Sequence, residues 1–181
     1  MNTLNWTNKE LKTLEEIPGL TFPMEILFEK ISDVSLDNIL SLKMGSKSKE
    51  VWGISTPYTT GGYGIEINTR IFNECMYFLE KNNMKVFNFP VLDVAIKPLR
   101  IKWCEENKKN YCALIFDITY NKIFQFADFN GIFRTPIWQS SDGCKKEDGI
   151  FKSFGIPVYK FPGYKTFIEK KLNFQQFQAV P

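Results

Sequence analysis

Apolar positions recur at two spacings along the chain, and each spacing predicts a different kind of element. The richest apolar stretch spans residues 111–131. On an extended chain, Cys112, Leu114, Phe116 and Ile118 fall on one face and Tyr111, Ala113, Ile115, Asp117 and Thr119 on the other. Aromatic and β-branched residues dominate it, which predicts two strands joined at Tyr120-Asn121-Lys122, a central hairpin covered on both sides. Helical spacing appears in Ile71, Phe72, Cys75, Met76, Phe78 and Leu79 and predicts an amphipathic helix over residues 70–82, capped by Asn68 or Thr69. Thr7 and Glu10 have capping-box spacing, so a first helix is expected over residues 8–16, ended by Ile17-Pro18-Gly19.

Weaker patterns fill the remainder. Residues 24–31 read as a strand or a short helix, and 33–42 as a loose helical or edge pattern. Short strands are expected at 51–54, 86–91 and 132–138, with an extended segment at 159–162. Residues 92–103 are mixed and broken at Pro98, while 45–50 and 139–149 read as exposed loops. A short helix is expected over 164–171, before a Phe-rich closing segment. Together these predict a single α+β domain, with a mixed or antiparallel sheet around the central hairpin and two or three short flanking helices. A helix, a polar turn and an aromatic segment closing in Pro and Val recur over 78–91 and 167–181, which suggests two similar helix–strand halves, roughly 64–110 and 150–181.

Composition narrows the chemistry. The 181 residues include no histidine, which removes Ser-His-Asp and Cys-His nucleophiles, histidine bases and His-containing zinc sites. A net charge of +3, from 23 basic and 20 acidic side chains, gives little pull on a phosphate backbone, so no nucleic-acid partner is expected. Cys75, Cys104, Cys112 and Cys144 form no C-x-x-C pair, and Cys75 and Cys112 read as small core residues. The polar first ten residues lack a signal-peptide pattern, and no apolar run approaches the ~20 residues of a membrane span, so a cytoplasmic protein without a membrane partner is expected.

Two constellations could carry chemistry. Residues 55–64, Ser-Thr-Pro-Tyr-Thr-Thr-Gly-Gly-Tyr-Gly, lack both G-x-G-x-x-G and Gly-Lys-Ser/Thr, so they read as a surface loop suited to partner recognition rather than a phosphate cradle. Asp93, Asp117 and Asp128 lie nearest the expected strands and could hold Mg²⁺ for hydrolysis, assisted by Lys97 or Lys122. The acidic-x-Lys element of restriction-type nucleases is missing, because Ala95 precedes Ile96-Lys97. Solvated strand-end acids are the plainer account of these three aspartates, and no cofactor is expected.

The succession of Gly64 to Leu79, Val86 to Val91, Leu114 to Thr119, Ile132-Phe133-Arg134 and Phe167 to Pro181 resembles a family of bacterial immunity proteins that accompany polymorphic toxins, a domain of unknown function. That resemblance implies a non-enzymatic protein that neutralises a cognate toxin by binding it. The surface expected to bind comprises Tyr58, Thr59, Thr60 and Tyr63 with Gln139, Asp142, Lys145 and Lys146, since Tyr and exposed loop residues commonly anchor interfaces. The alternatives are a carboxylate-dependent, metal-assisted hydrolase using Asp93, Asp117 and Asp128, and an inhibitor borne by a phage or other mobile element.

Overall fold

The structure is a computed structural model that describes residues 5–57, 61–135, 138–161 and 179–180. The chain divides into two compact units, one of Met1–Ser41 with Asn88–Asp128 and one of Leu42–Phe87 with Phe129–Pro181. These are not the two helix–strand halves suggested by the internal echo. The second of those halves lies mostly outside the described residues, as does the helix expected over 164–171.

The first unit begins as the capping residues dictate. Thr7 accepts from the Glu10 amide at 3.2 Å while the Glu10 carboxylate accepts from the Thr7 amide at 2.7 Å, fixing the start of α1 (Asn8–Glu16). Ile17–Gly19 closes it as one 3₁₀ turn. The two weak patterns that follow are one helix, α2 (Met24–Met44), whose last residues from Leu42 belong to the second unit. It buries Leu27, Phe28, Ile31 and Ile39, together with Ser32 and Ser35. Those two hydroxyls donate to Phe28 O and Ile31 O, one turn back, at 3.1 and 2.7 Å, so neither is buried unpaired.

The expected central hairpin is helical instead. Residues 115–120 form a π-helical stretch (Ile115–Tyr120) that runs into α5 (Asn121–Phe126). Its buried positions, Ile115, Thr119, Ile123 and Phe124, recur at helical spacing, with buried Cys112 and Ala127 flanking it. A strand apolar on both faces and a buried helix share the same sequence signature, and here packing overrides β-propensity. On the helix, Phe116, Tyr120 and Phe124 stand four residues apart and pack edge-on or tilted, with centroids 5.1 and 6.2 Å apart, and Phe89 caps the row at 5.8 and 5.3 Å from Tyr120 and Phe124. Thr119 donates to Phe28 O at 3.0 Å, joining this helix to α2. The strand expected over 86–91 also fails. Pro90 lies in a 3₁₀ turn (Phe89–Leu92) leading into α4 (Asp93–Asn107), which carries Pro98 on its exposed side without breaking.

In the second unit, β1 (Trp52–Ser55), β2 (Gly131–Arg134) and β3 (Val158–Lys160) pair in parallel, and β4 (Ala179–Val180) joins β3 antiparallel. Val86 adds a single parallel bridge to Trp52 on the outer side of β1. The class, helices with a small sheet, is as expected, but the sheet is built on parallel pairs rather than on an antiparallel hairpin. Parallel strands require crossover connections, which is why a helix lies between β2 and β3 where a loop was expected.

Alternation gives the sheet two different faces. Ile54 and Phe133 pack with Ile71, Phe72, Cys75, Met76 and Leu79 of α3 (Ile65–Lys81), the amphipathic stripe read from the sequence, though the helix starts five residues earlier than expected. Between Trp52 and Tyr159, whose centroids are 5.7 Å apart, stands Gly131. A Cβ there would lie 2.6 Å from the Tyr159 ring and 2.9 Å from that of Trp52, so only glycine lets both aromatics close over the strand. Ser55 and Arg134 point to the opposite face, toward α6 (Asp142–Ser153). No helix among the described residues is long and apolar enough to cross a membrane.

Candidate functional site

Register brings the ends of the parallel strands together: Ser55 pairs with Arg134, and Arg134 with Lys160. In open sheets of this kind, ligands bind beyond the carboxyl ends of the strands. Thr56 follows β1 and Thr135 follows β2, with their hydroxyls 2.9 Å apart.

The facing helix supplies acids. Ser141 caps α6 by accepting from the Cys144 amide at 3.4 Å. From that start, Cys144, Glu147, Asp148 and Phe151 follow at i, i+3, i+4 and i+7, a single stripe of the helix. Phe151 is buried and anchors the stripe. Glu147 Oε2 accepts from Ser55 Oγ at 2.6 Å. Asp148 pairs through Oδ1 with the buried Arg134 guanidinium, and through Oδ2 with Lys152 Nζ at 3.1 Å. Arg134 Cζ lies over the Trp138 ring, 4.0 Å from its centroid, a cation–π contact. Arg134 Nε is buried and has no hydrogen-bond partner among the described residues.

Electrostatics single out Glu147. Burial pushes its carboxyl from 4.5 up to about 7, against the opposing pull of the Ser55 hydrogen bond and the Arg134 charge. Near neutral pH it is therefore present in both protonation states, the condition in which one group both gives and takes a proton. The Cys144 thiol is driven the other way for chemistry. Burial and the neighbouring Glu147 charge push it up to about 12, which leaves it an inert core thiol.

The glycine-rich segment after β1 is occupied by its own structure. Gly61 and Gly62 adopt left-handed φ values of 75° and 67°. Gly62 N donates to Ser140 Oγ at 2.6 Å, Tyr63 N to Asn68 Oδ1 at 3.0 Å, and Asn68 Nδ2 back to Gly61 O at 3.1 Å. Asn68 is thus a buried loop clamp inside α3 rather than its cap, and these two amides are spent on side chains instead of facing a phosphate.

Of the residues expected to bind a partner, Tyr58, Thr59 and Thr60 lie outside the described residues. Tyr63 is exposed. Gln139 sits in a 3₁₀ turn (Trp138–Ser140), while Asp142, Lys145 and Lys146 belong to α6, where Lys145 Nζ and Asp142 Oδ1 are 3.0 Å apart. The loop expected over 139–149 is therefore mostly a helix. Its inner stripe contains two acids, so its amphipathicity was hidden in a run that read as solvated. The aspartates of the hydrolase alternative all belong to the first unit and are not brought into a metal site. Asp93 opens α4, where burial raises its pKa against the pull of Arg100 and Lys97; Asp117 and Asp128 are exposed, and Lys122 pairs with Asp33 at 2.7 Å. Among the described residues no group of three or more Cys, Asp or Glu could hold a metal ion. Sequence reasoning missed Ser55, Arg134, Trp138, Cys144, Glu147 and Asp148. The available signal was the spacing of Ser141, Cys144, Glu147 and Phe151, an N-cap followed by a helical stripe. No family model, no curated protein and no solved structure matches the chain.

Proposed function

We propose that the second unit is an enzyme acting on a small-molecule substrate beyond the carboxyl ends of β1 and β2, with Glu147 as its catalytic carboxylate in a hydrolytic or group-transfer reaction. One observation carries this reading: a carboxyl bonded to Ser55 at 2.6 Å, at the strand ends of a parallel sheet, and pushed up to about 7. In a chain without histidine, a carboxyl tuned to neutrality is the side chain able to exchange a proton at working pH. The reading departs from the non-enzymatic expectation. It requires no metal, and no residue is assigned to a cofactor.

The test is turnover across a panel of chromogenic esters, amides, phosphoesters and glycosides, with its pH profile. Glu147→Gln should lower the rate about 10²-fold or more. In the unaltered protein the profile should bend near pH 7, and the side of the bend assigns the role. A rate that falls as pH rises through 7 makes Glu147 the acid; a rate that falls as pH drops makes it the base or nucleophile. Turnover that survives the substitution, or no turnover on any substrate class, would sink the enzyme reading.

One observation favours the second reading, an immunity protein that binds a toxin. Leu20, Phe22 and Ile26 stand exposed around the start of α2 in the first unit, and exposed apolar side chains in one short segment are the usual anchors of an interface. If they anchor a toxin encoded by the neighbouring reading frame, Phe22→Ser with Ile26→Ser should abolish protection of cells expressing that toxin without changing the melting temperature. Unchanged protection would remove this reading.

A further inference from the structure

Glu147 and Asp148 are consecutive on α6, and the two strand-end residues they meet, Ser55 and Arg134, are registered neighbours on β1 and β2. The pairing is therefore a two-by-two lattice: hydroxyl to Glu147, guanidinium to Asp148. The guanidinium is held on three sides, by Asp148, by the Trp138 ring at 4.0 Å and by the strand that carries it, with only 6 % of its side chain exposed. A side chain so confined cannot swing toward solvent, and its charge stays beside the Glu147 carboxyl whatever the state of the surface.

We propose that Arg134 is the positioning residue of this site, a fixed cation on the strand beside Ser55 and Glu147 that Asp148 and Trp138 hold in place. The inference rests on the catalytic reading of Glu147. Among the described residues, the groups facing that carboxyl are the Ser55 hydroxyl from β1, the Arg134 guanidinium from β2 and, on its own helix, the Cys144 thiol, with Asp148 and, through it, Lys152 as the further charges. Arg134 is the cation that pulls Glu147 toward ionisation, opposing the burial that pulls it the other way. Asp148 competes for that cation, so the two acids share a single buried positive charge. Lys152 meets Asp148 from the exposed side and relieves part of the competition.

The decisive measurement is the titration of the Glu147 carboxyl carbon by NMR in protein labelled at glutamate, with the resonance assigned by its loss in Glu147→Gln. Arg134→Met should raise the midpoint by about one pH unit or more. Arg134→Lys, which keeps a cation, should leave it near that of the unaltered protein. Asp148→Asn, which frees the guanidinium from its second acid, should lower it. Circular dichroism checks each fold; should Arg134→Met not fold, the Lys and Asn variants decide. Midpoints that stay together in the folded variants overturn the proposal, since a merely structural arginine would not order them by charge. The result is separable from the enzyme reading. Ordered midpoints with turnover intact in Glu147→Gln would retain the positioning role and discard the catalysis; unmoved midpoints with turnover lost would do the reverse.

Discussion

A carboxyl group held near neutrality weakens the fold that holds it. Glu147 titrates at about 7 in the folded chain against 4.5 as its ordinary value. Because the folded value is raised, the neutral form is favoured by folding. Its stabilising contribution is complete below the ordinary value and is lost as pH rises through 4.5 toward 7. Above pH 7 the ionised group leaves a constant deficit on the order of 3 kcal/mol. Glu147→Gln removes that ionisation and keeps an oxygen to accept from Ser55. The variant should therefore melt higher than the unaltered protein at pH 8 and match it at pH 4, read by thermal unfolding at the two values. An equal gap at both would mean that Glu147 is solvated and not tuned. Such a gain in stability on removing one side chain is the usual mark of a site shaped for function rather than for the fold.

At the scale of elements, the same contrast explains which parts of the chain were readable. α1 was legible because the Thr7–Glu10 box is a local device whose two bonds need nothing distant. The stripe of α3 was legible because its buried side chains are apolar and repeat at helical spacing. Residues 114–126 were misread because Ile, Phe, Tyr and Thr suit both a two-sided strand and a buried helix. The choice was made by Phe89 and Phe28, far away in sequence, which pack against and accept from that helix. α6 was missed for the opposite reason. Its inner face is charged, and its acids are half-buried against Arg134 and Ser55, which stand on strands that no local pattern pairs. The sheet is short, and what determines its closure is Gly131, an undistinguished glycine in the sequence. Gly131→Ala would set a methyl 2.6 Å from the Tyr159 ring, and overpacking of this kind costs about 1–3 kcal/mol. Urea denaturation should show a lower midpoint with unchanged slope; an unchanged midpoint would show that Trp52 and Tyr159 part without cost.

At the scale of the whole molecule, the order of the chain and its packing disagree, and that disagreement is testable. Each unit is made of two separated segments, so a cut after Phe87 deprives both of their second half. β1 then loses its entire register with β2 and keeps only the bridge at Val86, while α2 loses the Thr119 hydroxyl on Phe28 O and the Lys122 partner of Asp33. A fragment of residues 1–87 should show no cooperative thermal transition and little protection in hydrogen exchange. The second unit offers the complementary experiment. Residues 88–128 leave and re-enter it between Phe87 and Phe129, whose ring centroids lie 6.3 Å apart; that contact keeps the two backbones within about 14 Å, a gap that a Gly/Ser linker of about eight residues spans. A chain of residues 42–181 with 88–128 replaced by such a linker retains the α3 cluster, all pairings of the sheet and the Ser55–Glu147 bond. It should therefore melt cooperatively, as a unit with its own core does. It should also keep the Glu147 midpoint near 7, because α6 still packs on β1 and β2 to bury the carboxyl, and Ser55 and Arg134, which oppose that burial, remain in place. A linked chain that fails to melt cooperatively would show that the second unit depends on residues outside its own two segments. A cooperative melt with Glu147 back at an ordinary carboxylate value would show that the fold survives the excision and the site does not.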